Sequence, residues 1–254
     1  MARDMGGTIS FASQLPADDT NQMQLPQGEI HIWKFSLCRT NAEYQGFEDS
    51  LSADERQRAD RSHFARHRRR FVARRGLQRL VLSRYCGIAP ADIRFAYERN
   101  GKPYLPKEDN ERGLHFSVSQ SADVALLACT RNQGTGIDVE EVREFSDKEE
   151  IVSRFFSVQE KAAWRKTLGK DLNQIFFNAW TRKEAFVKAL GLGLEIDLNL
   201  FSVSFETEDA RLLSWVGHDE EVVNWLFYHL EPEPNFCGAL VVPKGDWNIL
   251  LFNH

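Results

Sequence analysis

Apolar positions recur along this chain in two rhythms, and the switches between them divide it into elements. Glu29–Leu37 alternates, with Ile30, Ile32 and Phe35 set among polar residues, a period of two that predicts a strand. Ser52 and Glu55 form an S-x-x-E capping box, in which two side chains satisfy free N–H groups at a helix start. Helical periodicity follows, with breaks, to about Tyr85; Leu77, Leu80 and Val81 mark its apolar stripe, and Gly87 and Pro90 stop it. Ile93–Tyr97 predicts a short strand, Asn100-Gly101 a turn, and His115–Ser119 and Val124–Thr130 two further strands. Gly134-Thr135-Gly136 marks a junction.

Beyond the junction Ile137–Val142 alternates as a strand, and Ser146–Glu149 and Ser157–Glu160 are two more capping boxes. A long helix is predicted from about Leu172 to Leu190, ending at Gly191. Phe201–Phe205, Val222–Leu230, Phe236–Val242 and Trp247–Phe252 read as strands. Each side of the junction therefore reads strand, helices, strands. The expected architecture is two α+β halves packed together, residues 28–131 and 132–254, with no sequence repeat between them. Residues 1–27 are polar, carry two prolines and show no periodicity, so a flexible N-terminal arm is expected.

Composition narrows the class. The chain has 254 residues, 42% apolar and 27% charged, which excludes wholesale disorder and is long enough for a core without staples. Apolar runs such as Val124–Cys129 and Ala239–Val242 fall far short of the ~20 residues of a membrane helix, so no membrane partner is expected. The opening MARDMGGTISFASQ lacks the apolar stretch of a secretory signal. Cys38, Cys86, Cys129 and Cys237 are scattered without metal-ligand spacing, so buried, reduced thiols and a cytoplasmic location are expected. The net charge of −5 is uneven: residues 28–131 hold 19 Lys+Arg against 13 Asp+Glu, and residues 132–254 hold 12 against 21. A positive half facing a negative half suits a site between them, with phosphates on one wall and a divalent cation on the other. Chance, or simple attraction between the halves, would give the same split.

Three segments could carry chemistry. In Gly136-Ile137-Asp138-Val139-Glu140, strand alternation projects Asp138 and Glu140 to one face, the minimal protein share of a Mg²⁺ site; a solvated acidic strand has the same pattern. In Trp180-Thr181-Arg182-Lys183-Glu184-Ala185-Phe186-Val187-Lys188, Glu184 and Lys188 share a helix face one turn apart, and could serve a metal-bound pyrophosphate or be an ordinary surface pair worth ~0.3–0.5 kcal/mol. Between Arg66 and Arg75 seven of ten residues are Arg or His, of which most must be solvated and a few can reach a phosphate. A nucleic-acid stripe is the rival reading; a pI of about 5.9 and the sparse aromatics argue for no nucleic-acid partner.

GIDVE, RFFSVQE (Arg154–Glu160) and WTRKEAFVKALGLG (Trp180–Gly193), with NGKPYL (Asn100–Leu105) and HFSVSQS (His115–Ser121) upstream, resemble in order the signatures of the Sfp-type 4′-phosphopantetheinyl transferases. The resemblance spans roughly Leu51 to Leu200. It implies an α+β pseudo-dimer of two similar halves with the active site in the cleft between them. It implies an enzyme that moves the phosphopantetheine arm of coenzyme A onto a serine of an apo acyl or peptidyl carrier protein, releasing 3′,5′-ADP. By resemblance Asp138, Glu140 and Glu184 would hold Mg²⁺, Mn²⁺ sharing the same ligand chemistry. Glu184 would take the serine proton and Lys188 would contact the α-phosphate, with Lys183 assisting. Lys102, Ser119, Arg75 and Arg70 would bind coenzyme A phosphates. Gln120 stands where many members carry a histidine against the 3′-phosphate, and His115 cannot replace it, being an odd number of residues away. Trp180 is expected in the core. A pseudo-dimeric chain needs no second copy to complete its cleft, so a monomer is expected. The rival activities are another Mg²⁺-dependent phosphotransfer or phosphodiesterase on a nucleotide, an Arg-rich nucleic-acid binder, and a carrier-binding protein without catalysis.

Overall fold

The computed structural model describes residues 7–11, 15–16, 22–99, 101–167, 171–191 and 196–254, so Asn100 of the expected turn and Gly193 of the helix-end motif lie outside the described residues. The first half opens with β3 (Glu29–Ser36), preceded by the short strands β1 (Thr8–Ser10) and β2 (Leu15–Pro16). Helices α1 (Asn41–Ser50), α2 (Ala53–Asp60) and α3 (Ala65–Cys86) follow, then the two-residue strands β4 (Ala96–Tyr97) and β5 (Pro103–Tyr104), and then β6 (Leu114–Ser121) and β7 (Val124–Arg131). The second half runs β8 (Gly136–Glu141), α4 (Lys148–Phe155), α5 (Val158–Trp164), α6 (Leu172–Leu190), β9 (Phe201–Val203), β10 (Leu212–Trp215), β11 (Trp225–Glu231), β12 (Phe236–Pro243) and β13 (Asn248–Asn253).

Each half repeats one topology. In the first, β3 pairs antiparallel with β7, which pairs antiparallel with β6. In the second, β8 pairs antiparallel with β12, which pairs antiparallel with β11. Both sheets thus take the order first, third, second, with helices inserted between the first and second strands. This is the α+β pseudo-dimer, seen in strand order although no residue-level repeat is legible.

The halves are stitched by exchange. β13, read from sequence as part of the second half, lies parallel to β3 and completes the first half's sheet. β1, within the expected flexible arm, pairs parallel with β11 of the second half; residues 8–10 are therefore part of a sheet. Between the sheets sits a shared apolar cluster, with Ile30, Ile32 and Leu126 from one half and Ile137, Leu240 and Val242 from the other. The outer faces carry the helices. Trp33, Phe35 and Leu127 pack with Leu77 and Val81 of α3, and Ala239 and Val241 pack with Phe177 and Phe186 of α6. Trp180 stacks on Phe176 at 6.0 Å, partly buried against this second core. Of the cysteines, Cys129 and Cys237 are buried and Cys86 half-buried, whereas Cys38 is exposed, contrary to expectation, because it follows the end of β3.

Candidate active site

Gly136 explains how α6 reaches β8. A Cβ there would lie 1.8 Å from the Ala185 carbonyl oxygen and 2.5 Å from the Ala189 nitrogen, so only glycine lets the helix backbone approach this strand. The helix has firm ends: the Asp171 side chain accepts from the N–H groups of Asn173 and Gln174, and Gly191 closes it with φ of 70°. Glu184 and Lys188 then line a cleft of about 290 Å³ between the halves, opposite Lys102 and Pro103 and the β6 residues Phe116 and Val118.

The charged centre of this wall is Asp138, only 4% exposed. Its Oδ1 accepts from Lys188 Nζ at 2.7 Å and from Ser119 Oγ at 2.6 Å. Its Oδ2 is buried and accepts no hydrogen bond among the described residues. Lys188 also donates to the Ile137 carbonyl at 3.1 Å, which pins its side chain along β8. Glu140, two residues on, accepts from Ser121 Oγ at 2.6 Å. Burial raises the Glu140 carboxyl above its ordinary 4.5, and the Asp138 charge adds to this against the pull of Ser121. Burial likewise raises Glu184, again reinforced by Asp138 and opposed by Lys188. The two glutamates and Asp138 are thus close enough to repel, yet among the described residues no three His, Cys, Asp or Glu side chains converge into a ready ligand cluster.

The other expected site residues are distributed differently. Lys183 is fully buried, paired with Glu160 at 2.8 Å and donating to the carbonyls of Leu198 and Phe201. Burial depresses its ammonium to about 8. It points about 100° round α6 from Glu184, into the core, so it is a core staple and does not face a phosphate. Arg75 is 2% exposed, its guanidinium 3.2 Å from Glu55 and stacked on Phe95 at 4.6 Å. Glu55 also holds Arg79 at 2.8 Å, and this enclosed trio leaves Arg75 no surface to offer a ligand. Arg70 is half-buried and forms a bidentate pair with Asp123 in the β6–β7 turn, at 2.7 and 2.8 Å. Lys102 lines the cleft but donates to the Lys188 carbonyl at 2.6 Å, so the first half holds the C-terminal turn of α6. Ser119 faces Asp138. Gln120, next along a continuous strand, points to the opposite face with Phe116 and Val118, and His115 falls on the Ser119 side.

Two residues of this wall were not singled out from sequence. Ser117 Oγ accepts from the Ile137 N–H at 3.1 Å, and Ser121 Oγ accepts from the Glu141 N–H at 3.1 Å. With Ser119 they place a hydroxyl at every second position of β6, along the edge of β8. The signal was the S-x-S-x-S spacing of Ser117, Ser119 and Ser121, a period of two in polar residues facing a neighbouring strand.

With this geometry in place, comparison with known proteins is specific. The family model of the 4′-phosphopantetheinyl transferase superfamily matches residues 134–241. The model of the 4′-phosphopantetheinyl transferase N-terminal domain matches residues 38–132. The chain is 36% identical over 229 residues to the 4′-phosphopantetheinyl transferase HetI of Nostoc sp. PCC 7120, covering 89% of this chain and 92% of that protein. It is 32% identical over 197 residues to the 4′-phosphopantetheinyl transferase ffp of Bacillus subtilis, covering 78% and 84%. It is also 32% identical over 164 residues to the 4′-phosphopantetheinyl transferase Sfp of Bacillus subtilis strain 168, covering 63% and 69%.

Proposed function

The chain belongs to the 4′-phosphopantetheinyl transferase family, enzymes that place phosphopantetheine on carrier proteins, and from that premise we propose that it takes the group from coenzyme A in the cleft beside Asp138, with Mg²⁺ as the metal. The observation that carries this reading is the Asp138–Lys188 pair at 2.7 Å behind a cleft that Lys188 and Glu184 line together with residues of the first half.

The donor set fits a hard divalent cation. Asp138, Glu140 and Glu184 offer only carboxylate oxygens, and Asp138 Oδ2 is a buried acceptor with no donor among the described residues. Burial raises Glu140 and Glu184 most, and the repulsion that each also feels from Asp138 is what a cation there would relieve. Two or three carboxylates without a closed cluster suit Mg²⁺, which takes water and phosphate oxygens for the rest of its sphere. Bound there, it would supply charge neutralisation to the pyrophosphate.

The reaction is a displacement at phosphorus. The carrier serine oxygen forms a bond to the phosphorus nearer the pantetheine, and the bond from that phosphorus to the bridging oxygen breaks. The bridging oxygen leaves with 3′,5′-ADP. Glu184, which lines the cleft, receives the serine proton. Lys188 neutralises charge on the leaving α-phosphate. Lys102 positions Lys188 through its carbonyl. Ser119 supplies a further donor to the phosphates once Asp138 is taken up by the cation. The protein acts as a monomer in the cytoplasm.

Intact-mass measurement of apo carrier proteins of fatty-acid, polyketide and peptide-synthetase type tests this directly. Incubation with the enzyme, coenzyme A and Mg²⁺ should add one phosphopantetheine to a carrier. The Asp138→Ala protein, or the wild type in excess chelator, should add none. Cleavage of coenzyme A without carrier would instead indicate a nucleotide phosphodiesterase.

A further inference from the structure

β6 and β8 are edge strands of different sheets that run side by side, and serine hydroxyls bridge them. The three serines are not equivalent. Among the described residues the Ser117 hydroxyl hydrogen-bonds β8 through the Ile137 N–H. Ser119 donates to Asp138, where Lys188 already supplies a second and charged donor. Ser121 both accepts from the Glu141 N–H at 3.1 Å and donates to Glu140 Oε2 at 2.6 Å.

A hydroxyl has one proton. With the Glu141 N–H pointing at its oxygen, the Ser121 proton is committed to Glu140. It is the hydrogen-bond donor that the described residues provide to that carboxylate. Glu140 is half-buried, and its backbone is fixed by pairing with Cys237. Its side-chain torsions are the remaining freedom, and the Ser121 hydrogen bond restrains them.

We propose that Ser121 is a positioning residue for the transfer reaction, fixing the Glu140 carboxylate for the metal. This rests on the reading of Glu140 as a metal ligand. Groups that orient a ligating carboxylate typically change metal affinity by about 10–100-fold when removed.

The test is Mn²⁺ binding to the full chain, followed by the electron paramagnetic resonance of the free ion, with thermal melts alongside. Ser121→Ala should weaken Mn²⁺ binding about tenfold or more. Ser121→Thr, which keeps the hydroxyl, should bind within about threefold of wild type. Ser121→Cys, similar in size with a poor donor, should be weakened like Ala, and this pair decides the matter if the alanine variant does not fold. Ser117→Ala should lower the melting temperature while leaving Mn²⁺ affinity unchanged. In a Glu140→Gln background Ser121→Ala should add nothing. The proposal is overturned if Ser121→Ala and Ser121→Cys bind like wild type, if Ser117→Ala weakens binding equally, or if the Ser121 effect persists without Glu140. If Glu140→Gln itself binds Mn²⁺ normally, the reading of Glu140 fails and the proposal with it. That outcome is distinct from a weakened Glu140→Gln beside an unaffected Ser121→Ala, which overturns the proposal alone.

Discussion

Glu184 and Lys183 are neighbours in sequence and opposites in fate, because successive residues of a helix lie about 100° apart. Glu184 lines the cleft on the same side as Asp138, and its proton affinity is raised by burial and by Asp138. A carboxyl whose value is raised on folding is least costly when protonated. Stability is therefore full below the ordinary carboxylate value and is lost as pH rises through the raised one. Glu184→Gln should accordingly raise the melting temperature of metal-free protein at pH 7, with the gain vanishing at about pH 4, as read by melts in chelator. An equal gain at both pH values would contradict the repulsion argued for this wall. Lys183→Ala should do the reverse. It strands the buried Glu160, costing about 3–5 kcal/mol, and pairing Lys183→Met with Glu160→Gln should recover much of that loss in denaturant melts. Lys188→Ala should lower kcat and kcat/KM together by about 100-fold or more, since it acts on charge that develops as the pyrophosphate breaks. A raised KM for coenzyme A at unchanged kcat would make Lys188 a simple binding residue.

At the scale of elements, the site exists because α6 rests on β8. Gly136→Ala puts a methyl group into the backbone of Ala185 and Ala189, which no side-chain rotation can relieve. The helix must lift, costing about 1–3 kcal/mol and moving Glu184 and Lys188 away from Asp138. Transfer should fall far more than the melting temperature, and a variant with near-normal transfer would mean that this close approach does not set the site. The same helix was the most legible element: Leu172–Leu190 ending at Gly191 was read from sequence, and the structure starts and ends it there, adding the Asp171 cap. Legibility dropped wherever burial broke the simple rhythm. β3 is buried on both faces, with Ile30 and Ile32 towards the other half and Trp33 and Phe35 towards α3, so its apparent alternation was only part of its pattern. α1 went unread although Thr40 and Glu43 cap it, because it buries only Tyr44 and shows no stripe. The Ser146–Glu149 box does not form; the Ser146 hydroxyl donates to Asp147, which takes the cap position. The Asp138–Glu140 and Glu184–Lys188 pairs were legible from spacing. Which arginine of α3 would be free was not, because the answer lies in Glu55, on another helix.

The molecule as a whole is less divisible than its two matching topologies suggest. The strand that completes the first half's sheet, β13, comes from the last residues of the chain, and Phe252 stacks on Trp33 at 4.6 Å. The cluster between the sheets draws on both halves, so each half alone would present Ile30, Ile32 and Leu126, or Ile137, Leu240 and Val242, to water. Apolar faces of that kind are not stable in isolation. The serine hydroxyls of β6 and the Lys102 contact to α6 add polar ties across the same boundary, and these ties run through the cleft itself. Folding of the halves and assembly of the site should therefore be one event. Two fragments cut at residue 133 test this. The first, 1–133, has lost β13 and should be aggregated or lack a cooperative melt, and 134–254, with its inter-sheet face uncovered, should behave likewise. Mixed during refolding, they should regain a single transition together with transfer activity, because β13 can then pair with β3 in trans. A cooperative melt of 1–133 by itself would show that the first half folds without its borrowed strand, and that the shared cluster is a docking surface between two independent domains.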